Sequence, residues 1–357
     1  MTTHPLVARA RHLADDLLVP RAEQVDQEGV PASHIEAIKR SGLLGVSAPV
    51  SRGGSAAPGA VARETAEILA GACCSTWFVQ TQHHTPVLTL AKSELPVRER
   101  LLGPLARGEL LSGVAYAHLR AYPRIPVRVT RDRGGWRFDG TVPWYTGWGL
   151  NDVMLLAGVT DTDEALFAFT EAREQKGLRA SEPMRLAALT ASRTVSLELD
   201  GLWLPEDAVA ARTPYEEWAT ADRPKPTNAS PAVFGVAEAA LALLDADTSA
   251  PLRARLDEVR TEAYALAEHP VPHEHLTRRL ALRTQAYEVL MTATTAAVVA
   301  GGGRSLSLTS RAQRLAREAL FLLVQGQTAE SRGVHLKALA GSVARPDDRR
   351  PPVLPGR

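Results

Sequence analysis

The sequence predicts an α+β protein with a helical N-terminal domain (1–108), a middle β-barrel or β-sandwich domain (109–212) and a C-terminal four-helix bundle (213–344). Three observations predict this order. Apolar residues recur at helical spacing before residue 108, alternate with polar residues between about 127 and 204, and return to helical spacing after 229. A tail rich in Pro and Arg follows over 345–357, and its composition is typical of a disordered end.

The N-terminal domain is predicted to be entirely helical. Leucines at helical spacing predict a first helix over 7–25. The second helix begins near Pro31, where Ser33 and Glu36 fit a capping box, and it ends at Gly42. Further helices are predicted over 60–70, 75–91 and 98–107.

The middle domain shows the alternation of strands. Residues 127–130 alternate apolar and polar side chains, 132–135 supply a turn and 136–138 return, which predicts a β-hairpin. Further strands are predicted over 153–159, 165–170 and 194–204. A β-rich domain between two helical ones is an unusual plan for one chain.

The C-terminal domain is predicted to hold four helices, over 234–244, 252–267, 276–299 and 312–339. Prolines at 270 and 272 separate the second from the third. Nearly all residues over 292–300 are small, which permits close packing between helices or between subunits.

Composition excludes several classes of function. Lys and Arg total 41 against 40 Asp and Glu, a net charge of +1, which argues against nucleic acid as the main partner. No run of about 20 apolar residues predicts a membrane span, and the N-terminus lacks an apolar signal region. Cys73 and Cys74 are adjacent, which disfavours a disulfide between them, so we expect small core residues in a reducing cytoplasm.

Four local motifs occur in order along the chain. They are Ser41-Gly42-Leu43-Leu44-Gly45 followed by Pro49 and Gly53-Gly54, Phe138-Asp139-Gly140 with Trp144-Tyr145-Thr146-Gly147, Thr190-Ala191-Ser192-Arg193-Thr194 with 202–205, and Gly301-Gly302 with Arg314 and Arg317-Glu318. Together they resemble the acyl-CoA dehydrogenase superfamily from about residue 6 to residue 340. The resemblance implies a homo-oligomeric flavoprotein with FAD between the β domain and the C-terminal bundle.

The resemblance also implies which residues meet the cofactor. An indole at Trp144 would pack on the flat flavin ring, and a hydroxyl at Thr146 would hydrogen-bond its N5 atom. Gly301 and Gly302 would let the backbone approach the adenosine of a partner subunit. The full set of expected cofactor contacts is Trp144, Tyr145, Thr146, Tyr116, His118, Ser192, Thr194, Gly301, Gly302 and Thr328.

Three motifs of the family are missing. The "T-E-P-x-x-G-S-D" string is replaced over 117–123, and the "R-x-x-F-G" string is absent over 244–253, so two contacts to the FAD pyrophosphate are not evident. The catalytic carboxylate would fall in the turn over 324–328, where Gln325 stands instead. A neutral amide cannot take the α-proton of an acyl thioester.

Histidines are the remaining candidates for chemistry. The monooxygenase branch of the superfamily places histidines in the final helix, where this chain has Leu322 and Gln325. The weak catalytic candidates are therefore His118, His84 and Gln325, with His83 beside them. His269, His273 and His275 flank prolines without a carboxylate or Cys framework, so no metal site is predicted.

Three functions stay open on these residues. The first is an FAD-dependent oxidoreductase of the acyl-CoA dehydrogenase type, acting on a CoA or acyl carrier protein thioester or a related small organic substrate. The second is a two-component flavin-dependent monooxygenase that uses reduced flavin and O2 and needs a flavin reductase or electron-transfer partner. The third is a family member without catalysis that serves as a scaffold or ligand-binding partner. In each, we expect a cytoplasmic homo-oligomer.

Overall fold

A computed structural model describes residues 3–271 and 273–343. The observed elements follow the predicted order of helices, strands and helices, which confirms the fold class. The tail predicted to be disordered over 345–357 lies outside the described residues. No helix in the described ranges is long and apolar enough to cross a bilayer.

Seven helices precede the first strand in the described chain: α1 (Pro5–Leu13), α2 (Val19–Glu28), α3 (Ala32–Arg40), α4 (Gly59–Ala72), α5 (Cys74–Thr81), α6 (His84–Lys92) and α7 (Val97–Arg107). A π-helical turn joins α1 to α2. The predicted capping box is wrong, because Ala32 already begins α3 and Ser33 lies inside its first turn. Gly42, at φ +77°, follows the end of α3 as predicted.

The predicted helix over 75–91 is also divided, since α5 ends at Thr81 and α6 begins at His84. Cys73 and Cys74, just before this pair of helices, are free and buried. Burial raises the pKa of both thiols, as expected for small core residues.

Eight strands form one mixed sheet: β1 (Ser112–Ala115), β2 (Val127–Asp132), β3 (Gly135–Tyr145), β4 (Val153–Thr160), β5 (Glu164–Glu171), β6 (Leu178–Ala180), β7 (Val195–Pro205) and β8 (Val209–Pro214). Their order is β6-β7-β3-β2-β4-β5-β8, with β1 also on β4. The predicted hairpin is confirmed, with Asp132 opposite Gly135. The pairs β1–β4 and β2–β4 are parallel and the rest are antiparallel.

Strands β4 and β5 are buried on both faces. Leu156 and Leu166 belong to the core of the sheet, whereas Leu155 and Phe167 pack in a second cluster with residues of α6 and α7 such as Leu102. This double burial explains why both strands read as nearly continuous apolar runs.

The C-terminal helices are α8 (Tyr215–Asp222), α9 (Pro231–Leu241), α10 (Ala246–Ala267), α11 (Leu276–Gly301), α12 (Arg311–Val324) and α13 (Ala329–Val343). Helices α9–α12 form the predicted four-helix bundle. The single helix predicted over 312–339 is wrong, because the chain leaves the helix at Gln325 and Gly326 adopts φ +63°.

The N-terminal and C-terminal helices share one apolar core. Helices α4 and α9 approach closely at two glycines, since a Cβ added at Gly71 would lie 2.5 Å from the carbonyl oxygen of Gly235. Buried ion pairs reinforce the contact between α2 and α12: Arg314 joins Glu23 at 3.2 Å, and Arg317 pairs with Asp26.

Candidate functional site

The indole of Trp144 lies at the open end of β3 and is 56% exposed. Its neighbour Tyr145 points to the other face, where it is fully buried, because successive strand residues alternate. The Tyr145 hydroxyl accepts a hydrogen bond from Asn151 Nδ2 at 2.9 Å, and burial raises its pKa. Tyr145 therefore packs in the core, and its contact with a cofactor stays a prediction.

Three hydroxyl groups cluster directly after β3 and before β7. Thr146 Oγ1 and Ser192 Oγ each lie 3.1 Å from Thr194 Oγ1, and the amide of Gly147 donates to the carbonyl of Ser192 at 2.9 Å. All three side chains are buried. We call Thr146, Ser192 and Thr194 the hydroxyl cluster. Three residues predicted from two separate motifs thus meet in one place.

Tyr116 and His118 follow β1. Tyr116 is half-buried and packs edge-on against Phe167, with ring centroids 5.7 Å apart. His118 is buried, and its Nε2 atom donates to the carbonyl of Ala157 at 2.9 Å. Burial lowers the pKa of His118 to about 4, so the ring is neutral at neutral pH. This hydrogen bond ties His118 to β4.

His83 and His84 occupy the junction between α5 and α6. Buried His83 accepts from the amide of Ser112 through Nδ1 at 3.0 Å, which leaves Nε2 to donate to the carbonyl of Leu105 at 3.2 Å. Burial lowers the pKa of His83 to about 3 and that of His84 to about 4. His84 is half-buried and lies 2.8 Å from Gln80 Nε2. Both rings are poor proton acceptors at neutral pH.

The glycines and the threonine predicted near FAD also have structural roles. Gly302, at φ +59°, is the C-cap of α11, directly after half-buried Gly301. The amide of Thr328 donates to Ser331 Oγ at 2.9 Å, and the amide of Ser331 donates to Thr328 Oγ1 at 3.2 Å. This reciprocal pair caps α13. Their contacts with a cofactor stay predictions.

Two cationic side chains on α11 were not predicted from the sequence, and one of them contacts Gln325. Arg279 and Arg283 lie one turn apart on α11 and are each 3% exposed. Arg279 Nη1 donates to Asn228 Oδ1 at 2.7 Å, and Arg283 Nη2 donates to the carbonyl of Gln325 at 3.4 Å. We call Arg279 and Arg283 the guanidinium pair. Two arginines four residues apart in a predicted helix do not by themselves indicate that their face of the helix is buried.

The histidine connection between α10 and α11 differs from its prediction. Its side chains are at least partly exposed, and the ligand atoms of His269, Glu274 and His275 lie within 4.8 Å of one another. The prediction that no carboxylate accompanies these histidines is wrong, because Glu274 lies among them. His273 lies outside the group.

A cavity of about 800 Å³ lies elsewhere, between α1, α4, α9 and α10. Part of its charged lining is internally paired, with Arg260 3.2 Å from Glu67 and 3.1 Å from Glu238. None of the residues predicted to contact a flavin lines this cavity. It is separate from the site at the end of β3.

Comparison with known proteins identifies the fold. Residues 2–109 match the family model of the acyl-CoA dehydrogenase N-terminal domain. No curated protein matches the chain by sequence.

Solved structures match nearly the whole chain. Butyryl-CoA dehydrogenase from Megasphaera elsdenii is 17% identical, covers 95% of this chain and 99% of its own, and superposes with a TM-score of 0.80. Dibenzothiophene monooxygenase from Paenibacillus sp. A11-2 is 18% identical over 95% and 98%, with a TM-score of 0.77. A glutaryl-CoA dehydrogenase from Mycobacterium smegmatis, solved with FADH2, is 18% identical over 96% and 95%, with a TM-score of 0.74. At these identities the fold is what is shared.

Proposed function

We propose, for a chain that has the acyl-CoA dehydrogenase fold, the activity of a flavin-dependent oxidoreductase acting on an acyl thioester or a related small organic substrate. The observation that carries this proposal is the exposed indole of Trp144, two residues before Thr146 of the hydroxyl cluster. An exposed aromatic plane at the edge of a rigid sheet suits a flat redox ring, and hydroxyl groups suit its polar edge.

The residues fit one end of FAD better than the other. Trp144 and the hydroxyl cluster supply the apolar and polar contacts that the ring would need. The segment that would contact the pyrophosphate, residues 117–123, contains no serine, and its Arg120 Nε is 2.7 Å from Asp222 Oδ2. We therefore expect FAD to bind mainly through its flavin ring. Either a second subunit contacts its phosphates, or the bound FAD exchanges freely with FAD in solution.

The protein's own acid–base groups favour a second candidate. A bound flavin would supply hydride or oxygen chemistry. Gln325 is a neutral amide, and the side chain that donates to its carbonyl is the guanidinium of Arg283. Removal of an α-proton by a carboxylate thus has no support at this turn. This favours a two-component flavin monooxygenase over a desaturating dehydrogenase as the form of the activity.

Titration of the purified protein with FAD tests the proposal. We expect saturable binding with shifted absorbance bands, and Trp144→Ala should weaken it about five- to tenfold, since an aromatic contact contributes about 1 kcal/mol. Trp203→Ala is the matched control. That indole is 45% exposed and lies near the other end of the same sheet, opposite Arg137.

Two results would count against the proposal. Equal FAD affinity in Trp144→Ala and Trp203→Ala would remove Trp144 from the site. No FAD binding by the unaltered protein at micromolar concentration would favour the non-catalytic scaffold. If FAD binds, two further measurements separate the monooxygenase from a dehydrogenase. A monooxygenase would consume O2 faster when a flavin reductase and a substrate are present. In a dehydrogenase, the thioester substrate would reduce the bound flavin without O2.

A further inference from the structure

The guanidinium pair on α11 is an unusual burial of charge. Arg279 and Arg283 are each 3% exposed, and neither pairs with a carboxylate in the described part of the chain. Their acceptors are Asn228 and backbone carbonyl groups, which carry no net charge. Burial lowers the pKa of Arg279, as expected where no carboxylate offsets desolvation.

Arg314, the other arginine that is buried in the described chain, is neutralised, because its Nη1 atom lies 2.7 Å from Glu318 Oε1. Half-buried Arg317 pairs with Asp26, and the exposed neighbour Arg278 pairs with Glu262. The guanidinium pair therefore differs from Arg314, and the difference needs a physical reason.

Polar atoms without partners concentrate around the pair. Arg279 Nη2, Arg283 Nε, Tyr287 Oη and His335 Nε2 are buried and make no hydrogen bond to any described residue. They form one neighbourhood, because Arg279 and Arg283 both donate to Asn228, the Arg283 guanidinium lies 4.9 Å from the ring centroid of Tyr287, and the ring centroids of Tyr287 and His335 are 5.2 Å apart. Each of these atoms can donate to an anion.

The α12–α13 turn contacts Arg283 of this neighbourhood. Gln325 and Thr328 in the turn are half-buried, and Gly326 is exposed. The contact from the turn to the pair is the hydrogen bond from Arg283 Nη2 to the Gln325 carbonyl, whose length of 3.4 Å is at the weak end of the range. An incoming anion can replace this acceptor with a small movement of the turn.

We propose that the guanidinium pair binds a carboxylate of the substrate beneath the α12–α13 turn, so that the protein acts on a carboxylated acyl compound or organic acid. The free N–H groups of two planar guanidiniums match the two oxygens of one carboxylate. The proposal rests on the proposed function in one respect, that the substrate lies at this turn.

Isothermal titration with matched ligands tests the proposal. Glutaryl-CoA and butyryl-CoA differ by one terminal carboxylate, and glutarate and its diamide differ by charge alone without CoA. We expect the charged member of at least one pair to bind at least tenfold more tightly. Arg279→Gln and Arg283→Gln should each abolish that preference, whereas Arg278→Gln, which removes the same charge from the exposed face of α11, should keep it.

The outcomes separate this proposal from the proposed function. No preference for the charged member of either pair overturns the carboxylate site, even when FAD binds normally. A preference that persists in Arg279→Gln and Arg283→Gln overturns it as well. A carboxylate preference without FAD binding supports the site and rejects the oxidoreductase. If the glutamine variants do not fold, Arg279→Lys keeps the charge but not the fork, and an undiminished preference in this variant contradicts the proposal.

Discussion

His83 and His118 are neutral tethers within the core. Each uses one ring nitrogen to bind a carbonyl, of Leu105 and Ala157 respectively. Burial lowers their pKa values to about 3 and about 4, well below the ordinary value for histidine. The unfolded chain therefore takes up protons near pH 6.5 that the folded chain refuses, so acid favours unfolding.

We predict that the free energy of unfolding falls as the pH drops from about 6.5 towards 4, by up to about 1.4 kcal/mol per pH unit for each such histidine. Urea unfolding at several pH values measures this slope. His118→Gln should reduce it by about one proton, and His273→Gln, at an exposed position, should leave it unchanged. An unaltered slope in His118→Gln would show that this ring titrates alike in both states.

Single residues also mark where sequence reasoning succeeds. The alternation of side chains along a strand predicts that Trp144 and Tyr145 lie on opposite faces of the sheet. The resemblance to the family nevertheless assigned both side chains to the cofactor. The hydroxyl cluster was within reach of the sequence, because Thr146, Ser192 and Thr194 belong to recognised motifs. Arg279 and Arg283 were not, since their burial depends on α13 and on the segment at Asn228, which are distant in sequence.

At the level of elements, turn chemistry decides what helical periodicity leaves open. Apolar spacing continues across residues 312–339, so it predicts one helix. Gly326 at φ +63° and the reciprocal cap of Thr328 and Ser331 divide it into α12 and α13. The division brings the Gln325 carbonyl over α11, and the candidate site depends on it.

Two glycine-to-alanine substitutions, one at the crossing of α4 and α9 and one in α13, are predicted to change the free energy of unfolding in opposite directions. Gly235→Ala should destabilise the protein by about 1–3 kcal/mol, because the new methyl group meets the carbonyl oxygen of Glu67 in the facing helix. Gly333→Ala in α13, where a Cβ meets nothing within 4 Å, should stabilise it by about 0.5–1 kcal/mol. Urea denaturation of both variants measures these changes. Equal effects would mean that helix propensity outweighs packing at the crossing.

The molecule as a whole exposes apolar side chains along its C-terminal helices. Val299 and Leu306 are 75% and 73% exposed, and Leu320, Val324 and Leu336 are also exposed. Exposed large apolar side chains are typical of a subunit interface. Val299 lies within the small-residue segment over 292–300 and Leu306 follows it, and this segment was predicted to permit packing between subunits.

We predict that the protein is a homo-oligomer through this region. Val299→Asp combined with Leu306→Asp should shift the mass measured by light scattering towards the monomer, because two charges would be buried at the contact. Leu95→Asp, at an exposed position before α7, should keep the assembly. A monomeric unaltered protein would contradict the prediction.

The order of helical, β and helical parts was predictable at the largest scale, because it rests on periodicities that persist over tens of residues. The resemblance to the superfamily is confirmed by the fold and by the match over residues 2–109. The chemistry was less predictable. Trp144, Arg279 and Gln325 lie on separate elements, and the missing family motifs leave their roles to geometry.

The ion pairs between α2 and α12 affect biosynthesis. Asp26 and Arg317 are 291 positions apart. A ribosome that adds about 5–20 residues per second needs on the order of 15–60 s to connect them. During that interval Asp26 has left the ribosome without the cation of Arg317, so α2 gains its contact with α12 only when translation has nearly ended.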